Sequence, residues 1–117
     1  MMENNVARKR KRRSDTNHII YALECQGMVY VGVTVVDQGN VKKSLERRWR
    51  KHVNRALVED KAWRLCEAIR ANGAEAFRAR VLEKVRGKRA AHARERELLD
   101  LMKPELNTDV RQRRVKA

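Results

Sequence analysis

At 117 residues the chain has room for one small domain, which can bury a core without disulfides or metals. Its 29 Lys and Arg residues against 15 Asp and Glu give a net charge of +14, which makes a polyanion the natural partner. No apolar run is long enough to span a bilayer, and none follows the charged N-terminus as a signal peptide requires, so an intracellular, cytoplasmic location is expected.

Residues 1–16 form a polar arm with an unbroken basic run, Arg8, Lys9, Arg10, Lys11, Arg12 and Arg13. Like charges in a block repel, so the arm is expected to be disordered and to lie on phosphates without regard to sequence. The run also has the form of a nuclear localisation signal, a pattern frequent by chance in basic chains. Residues 17–109 make the folded domain, and 110–117 a short basic tail. Cys25 and Cys66 show no CxxC or Cys-His spacing, which points to free reduced thiols and not to zinc.

From His18 to Thr34, two runs of β-formers flank Gln26-Gly27, a hairpin signal with its turn residue in place. A two-residue turn sets Cys25 opposite Met28, Leu23 opposite Tyr30, and Tyr21 opposite Gly32. Strand parity then puts Tyr21, Leu23 and Tyr30 on one face, and Ile20, Ala22, Val31 and Val33 on the other, as a face packed on a helix should be. Tyr21 and Tyr30 are the only tyrosines, and Gly32 leaves room above the sheet beside one of them.

A loop with turn chemistry at Asp37 to Asn40 follows, and the first helix is capped by Ser44 or begins a few residues earlier. Leu45, Trp49, Val53, Ala56 and Leu57 give that helix its apolar stripe. Arg48 and His52 lie one turn apart on the stripe's edge, where helix meets sheet. Lys42, Lys43, Arg47, Arg50, Lys51 and Arg55 take more exposed positions that suit phosphate contacts. A second helix runs from about Asp60, with Ala62, Leu65, Cys66 and Ile69 on one face, and stops at Asn72-Gly73. Trp49 and Trp63 fall in apolar stripes and read as core. His18 and His92 read as ordinary surface or strand-edge residues.

Ala76 to Glu83 reads as a strand, with Phe77, Ala79 and Val81 alternating against Arg78 and Arg80. Gly87 breaks it, and a last helix runs from about Arg89 to Met102, ending before Pro104. The order is ββααβα: an α/β (α+β) domain with a small three-stranded antiparallel or mixed sheet flanked by about three helices. On the last helix, Leu98, Leu99 and Met102 set the apolar face. Glu95 falls on their side, whereas Glu97 turns to solvent. A carboxylate aimed at a core needs a cation or hydrogen bonds, so either an arginine or a metal should meet Glu95.

Taken together, these segments resemble the GIY-YIG nuclease family. Ile19-Ile20-Tyr21 and Tyr30-Val31-Gly32 stand where its two signature tripeptides would be, with Ile19 replacing a glycine and Val31 a mild variant. Leu45 to His52 looks like its helix motif, an arginine (Arg48) with a histidine (His52) one turn later. Ala68 to Gly73, Glu75-Ala76-Phe77 and Val81 to Glu83 are similar to its middle segment. Glu95 to Leu99, followed by Lys103-Pro104-Glu105-Leu106-Asn107, is similar to its closing pattern. The resemblance spans roughly His18 to Asn107. The stretch from Val35 to Lys43 is longer than the shortest members have, and reads as an inserted loop.

The resemblance implies a DNA endonuclease using one divalent ion, Mg²⁺ or Mn²⁺, bound by Glu95. Arg48 would hold the scissile phosphate and stabilise developing charge. Tyr21 and Tyr30 would position or deprotonate the attacking water, with Tyr30 favoured as the base. A phenol that loses its proton near pH 10 needs help, which the metal, Arg48 or His52 could supply. Gly32 and Asn107 would support the site. Family members act in homing, restriction, recombination and repair. A stand-alone catalytic domain, of phage or mobile-element type, implies limited intrinsic specificity, a preference for a DNA structure, or a second copy of the chain for double-strand cutting. The competing expectations are a non-catalytic nucleic-acid-binding protein on the same scaffold and a basic RNA- or ribosome-associated protein.

Overall fold

A computed structural model describes residues 16–107. The elements are β1 (Asn17–Cys25), β2 (Met28–Val35), α1 (Val41–Leu57), α2 (Arg64–Asn72), a single 3-10 turn (Ala74–Ala76), β3 (Arg78–Arg86) and α3 (Lys88–Met102). They make a three-stranded, wholly antiparallel sheet and three helices in the expected ββααβα order. The basic run from Arg8 to Arg13 and the basic tail lie outside the described residues. Among those described, no helix is long and apolar enough to cross a membrane.

The hairpin forms around its turn. Gln26 and Gly27 both take positive φ, 50° and 80°, the pattern of a type I′ turn whose twist matches the flanking strands. That turn fixes the register, and the pairs Cys25–Met28, Leu23–Tyr30 and Tyr21–Gly32 are those the parity argument expects. The strand order is β2-β1-β3, so β1 is central and every side chain from Ile19 to Leu23 is fully buried. Ile20, Ala22 and Val31 on the second face are fully buried too, while Val33 is half-buried.

Strand β3 departs from expectation. It begins at Arg78, because Ala76 belongs to the 3-10 turn, and it continues to Arg86. Ala79 and Val81 are exposed, with Val81 at 38%. They pair with Leu23 and Tyr21 but lie at the sheet's edge, and a bulge follows them: Ile20 pairs with Glu83 and Tyr21 with Val81, so Leu82 is the extra residue and parity changes there. Beyond it Leu82, Glu83 and Val85 are half-buried. Charged side chains line this edge strand, and Arg80 is tied to Glu24 on β1 by two hydrogen bonds, 2.8 and 3.1 Å.

The helix starts are also corrected. Asn40, not Ser44, caps α1: its side chain accepts from the Lys43 N–H at 2.9 Å. Ser44 lies inside the helix, where its hydroxyl donates to the Asn40 carbonyl and accepts from the Asp37 N–H, pinning the preceding loop. Helix α2 starts only at Arg64, because Asp60 takes a left-handed φ of 54° that interrupts the path from α1. Ala62 is therefore exposed and outside the helix. On α3, Ala91 is the buried residue, Leu98 and Leu99 are half-buried, and Met102 is 38% exposed, so the apolar face is centred nearer the N-terminus than its sequence suggests.

One apolar cluster holds the layers together. Tyr21 and Leu23 of β1 pack with Ala56 of α1, Leu65, Cys66, Ala68 and Ile69 of α2, and Leu106 beyond α3. Met28, Tyr30, Leu45, Trp49 and Phe77 close its margin, with the Trp49 and Phe77 rings 5.5 Å apart. Cys25 and Cys66 are free and buried.

Candidate active site

The tyrosine face of the hairpin meets α1 at its polar edge. Tyr21 and Tyr30 sit on adjacent strands with ring centres 6.2 Å apart. Helix α1 lowers His52 onto them, 5.1 Å from the Tyr30 ring. Gly32 is what makes the arrangement possible. A Cβ there would stand 2.6 Å from the Tyr21 hydroxyl oxygen, 2.8 Å from its Cζ and 2.9 Å from Cε1 of Tyr30. The glycine opposite Tyr21 is required by close approach, as the hairpin register implies.

Polar contacts join the four central side chains. Tyr21 Oη lies 2.8 Å from Nε2 of His52, and Arg48 donates its Nε–H to the same oxygen at 3.4 Å. A guanidinium can only donate, which leaves the hydroxyl's own proton free for His52 when Nε2 carries none. That direction belongs to the neutral tautomer with its proton on Nδ1. Burial first, then the Arg48 and Arg55 charges, hold His52 down to about 3, so the imidazole is neutral at pH 7. Both phenols are pushed above their usual range, chiefly by burial. Arg48 and a hydrogen bond from Tyr30 oppose that rise at Tyr21. Tyr30, Tyr21 and His52 thus form one compact group, with ring centres 5.1 to 6.2 Å apart.

Tyr21 is wholly buried, whereas Tyr30 lines a cleft of about 170 Å³ with Arg48, His52, Arg55, Trp63, Leu65 and Leu106. Arg48 also borders a second cleft of about 120 Å³, with Thr34, Asp37, Arg47 and Lys51. It is therefore the wall between two basic hollows. No carboxylate pairs with Arg48 among the described residues, and its Nη groups are left over from the bond to Tyr21.

Glu95 on α3 belongs to the same neighbourhood. Its charge helps raise both phenols, and its side chain is 20% exposed. Nδ1 of His92 stands 3.6 Å from one of its oxygens. Glu97 is 64% exposed and pairs with Arg94 at 2.9 Å, as a solvated carboxylate does. Among the described residues no cluster of three or more His, Cys, Asp or Glu could cage a metal. A partly buried carboxylate whose charge is felt by both phenols nonetheless fits Mg²⁺, which keeps much of its water and shares its shell with substrate phosphate. It does not fit zinc.

Asn107 reaches the site from the far end of the chain. Its carboxamide accepts from the Val31 N–H at 2.9 Å and donates to the Val31 carbonyl at 2.8 Å. Two residues earlier on β2, the Leu106 N–H donates to the Val29 carbonyl and the Glu105 carboxylate accepts from the Val29 N–H. Residues 105–107 thus occupy the free edge of β2 on either side of Tyr30, fixing that strand segment from outside.

The remaining basic positions divide. Lys42, Lys43, Arg47 and Lys51 are exposed along α1, with Arg47 paired to Asp37. Arg55 is half-buried and turned into the Tyr30 cleft. Trp63, which the sequence places in the core, is 41% exposed instead. It occupies the N-cap position of α2 and makes no capping bond. Nothing local marks this, because the apolar period from Trp63 to Cys66 and Ile69 holds whether or not the helix reaches back that far. His18 is buried in the central strand, with Nδ1 2.9 Å from the Thr16 carbonyl oxygen, and His92 is 42% exposed.

Compared with protein-family models, curated proteins and solved structures, the chain has no significant match.

Proposed function

We propose that this chain is a metal-dependent endonuclease that hydrolyses phosphodiester bonds in DNA. The observation that carries the proposal is Arg48: a half-buried cation without an acidic partner among the described residues, bonded to one of two adjacent phenols and set between two basic hollows. Such a fork is suited to a phosphate and to the extra charge of a five-coordinate transition state.

The side chains then divide the work. Tyr30, facing the cleft, holds the attacking water and takes its proton. Tyr21 takes the Tyr30 proton and passes its own to Nε2 of His52, so no phenolate has to stand alone in a buried site. Burial chiefly keeps His52 neutral; an arriving phosphate offsets the added effect of the Arg48 and Arg55 charges, which makes imidazole a better acceptor when substrate is bound. Glu95 would hold a single Mg²⁺ or Mn²⁺ ion, which supplies charge neutralisation at a non-bridging phosphate oxygen. Gly32 and Asn107 hold the geometry. Lys42, Lys43, Arg47, Lys51 and Arg55 track the flanking backbone, with affinity that falls as salt rises. Contacts of this kind carry no base readout, so cutting depends on DNA structure or on a second copy of the chain.

A plasmid-cleavage assay with Mg²⁺ or Mn²⁺ and an EDTA control tests this, comparing wild type with Glu95→Ala and Glu97→Ala. Nicking or linearisation that only Glu95→Ala abolishes upholds the assignment. A dead Glu97→Ala with an active Glu95→Ala moves the metal to the other carboxylate. Binding of linear, nicked and branched DNA without cutting of any leaves the alternative, a binding protein on the same scaffold.

A further inference from the structure

Trp63 is a large aromatic side chain in an unexpected place. It is 41% exposed, it lines the same cleft as Tyr30, Arg48 and His52, and it lies outside helix α2. Two cations attend it: the Arg55 guanidinium carbon is 5.5 Å, and Lys61 Nζ 5.8 Å, from the ring centroid. An indole that gains little burial yet carries positive charge at its faces complements one kind of group, a flat base attached to a phosphate. A hollow of about 170 Å³ is below the roughly 300 Å³ at which small-molecule pockets begin, so it has room for one ring system and little more.

From this geometry we infer that Trp63 is a stacking platform for a single unpaired base beside the phosphate held by Arg48. The preferred substrate is then DNA with a single-stranded element at the cut, such as an overhang, flap or branch point. This deepens the nuclease assignment and rests on it for the word substrate, but not for the binding site. Paired bases inside a duplex present only their edges, and reaching the ring would require unstacking them at extra cost. Lys61, on a long exposed stem, moves from the ring to the adjoining phosphate as the base arrives. Arg55, half-buried, stays beneath.

The test reads binding alone, in EDTA and at physiological salt, with the full chain. Labelled dT12 and a blunt duplex of similar length are titrated with wild type, Trp63→Ala and Trp63→Phe. The expected result is a loss of about tenfold in dT12 affinity for Trp63→Ala, about the worth of stacking one base, with duplex affinity changed less than about twofold. Trp63→Phe, which keeps a ring, should recover most of the loss. If Trp63→Ala fails to fold, the second measurement is quenching of wild-type indole emission by dT12, which Trp63→Phe should remove. Equal losses on both DNAs, no loss on either, or a self-association that Trp63→Ala abolishes while dT12 binding is unchanged would overturn the inference; the last result would assign the face to a second copy. A protein that shows the selective loss but cuts nothing keeps the platform and loses only the nuclease assignment.

Discussion

Nε2 of His52 and the hydroxyl of Tyr21 meet at 2.8 Å, although 31 positions separate the two residues and His52 is only 2% exposed. Burial, with the charges of Arg48 and Arg55, holds the ring near 3 instead of 6.5, so the imidazole in this bond is neutral at pH 7. The unfolded chain therefore binds a proton between those values that the folded chain refuses. Stability from this group is fully present above pH 6.5 and is lost as pH falls towards 3. From pH 7 to pH 5 the loss is about 2 kcal/mol, a slope of about 1.4 kcal/mol for each pH unit below the unfolded value. Urea unfolding of wild type and His52→Gln at both pH values measures it. The Gln variant should lack that part of the acid sensitivity.

Gly32→Ala sets a methyl group within 3 Å of two ring carbons and the Tyr21 hydroxyl oxygen at once, and both tyrosines are pinned by β1 and β2. Overpacking of this kind costs about 1–3 kcal/mol. The expected outcome is a lower thermal midpoint together with loss of cleavage, since the displaced rings are those proposed to handle the water. Unchanged midpoint and activity would mean that the hairpin yields there.

Asn107→Ala removes both hydrogen bonds to Val31 at the β2 edge. Each is worth about 1 kcal/mol, and the edge amide is left to solvent. Hydrogen exchange should quicken at Val29 and Val31 while the β1–β3 ladder is unaffected. Asn107→Asp keeps the acceptor and loses the donor, so it should fall between the two.

Arg48→Lys keeps the charge and loses the fork. It should bind DNA with near wild-type salt dependence, yet cut on the order of 10²–10³-fold more slowly, the usual cost of removing one aimed donor to developing charge. Single-turnover cleavage beside a binding titration separates the two effects. Equal losses in both would make Arg48 a binding residue only.

Which residues share a face was legible in the sequence wherever a local rule sets it. The Gln26-Gly27 turn fixes the register, the register places Tyr21, Leu23 and Tyr30 together, and Gly32 falls opposite Tyr21. The spacing of Arg48 and His52 on α1 put both at the helix–sheet seam, and the same arithmetic sent Glu97 to solvent. These follow from a two-residue or 3.6-residue period, which acts within one element.

What the tertiary structure decided lies between elements. The bulge at Leu82 reverses the β3 face, so its pairing with β1 and not its own alternation decides which side chains turn inward. Asn40 caps α1 in place of Ser44 because the Asp37 loop claims the serine hydroxyl. Residues 105–107 seal the β2 edge across 76 positions, and Trp63 leaves the core for the cleft when Asp60 breaks the path into α2. Each is a competition for hydrogen bonds or space among segments far apart in the chain, and the folded arrangement of all of them is what selects the winner.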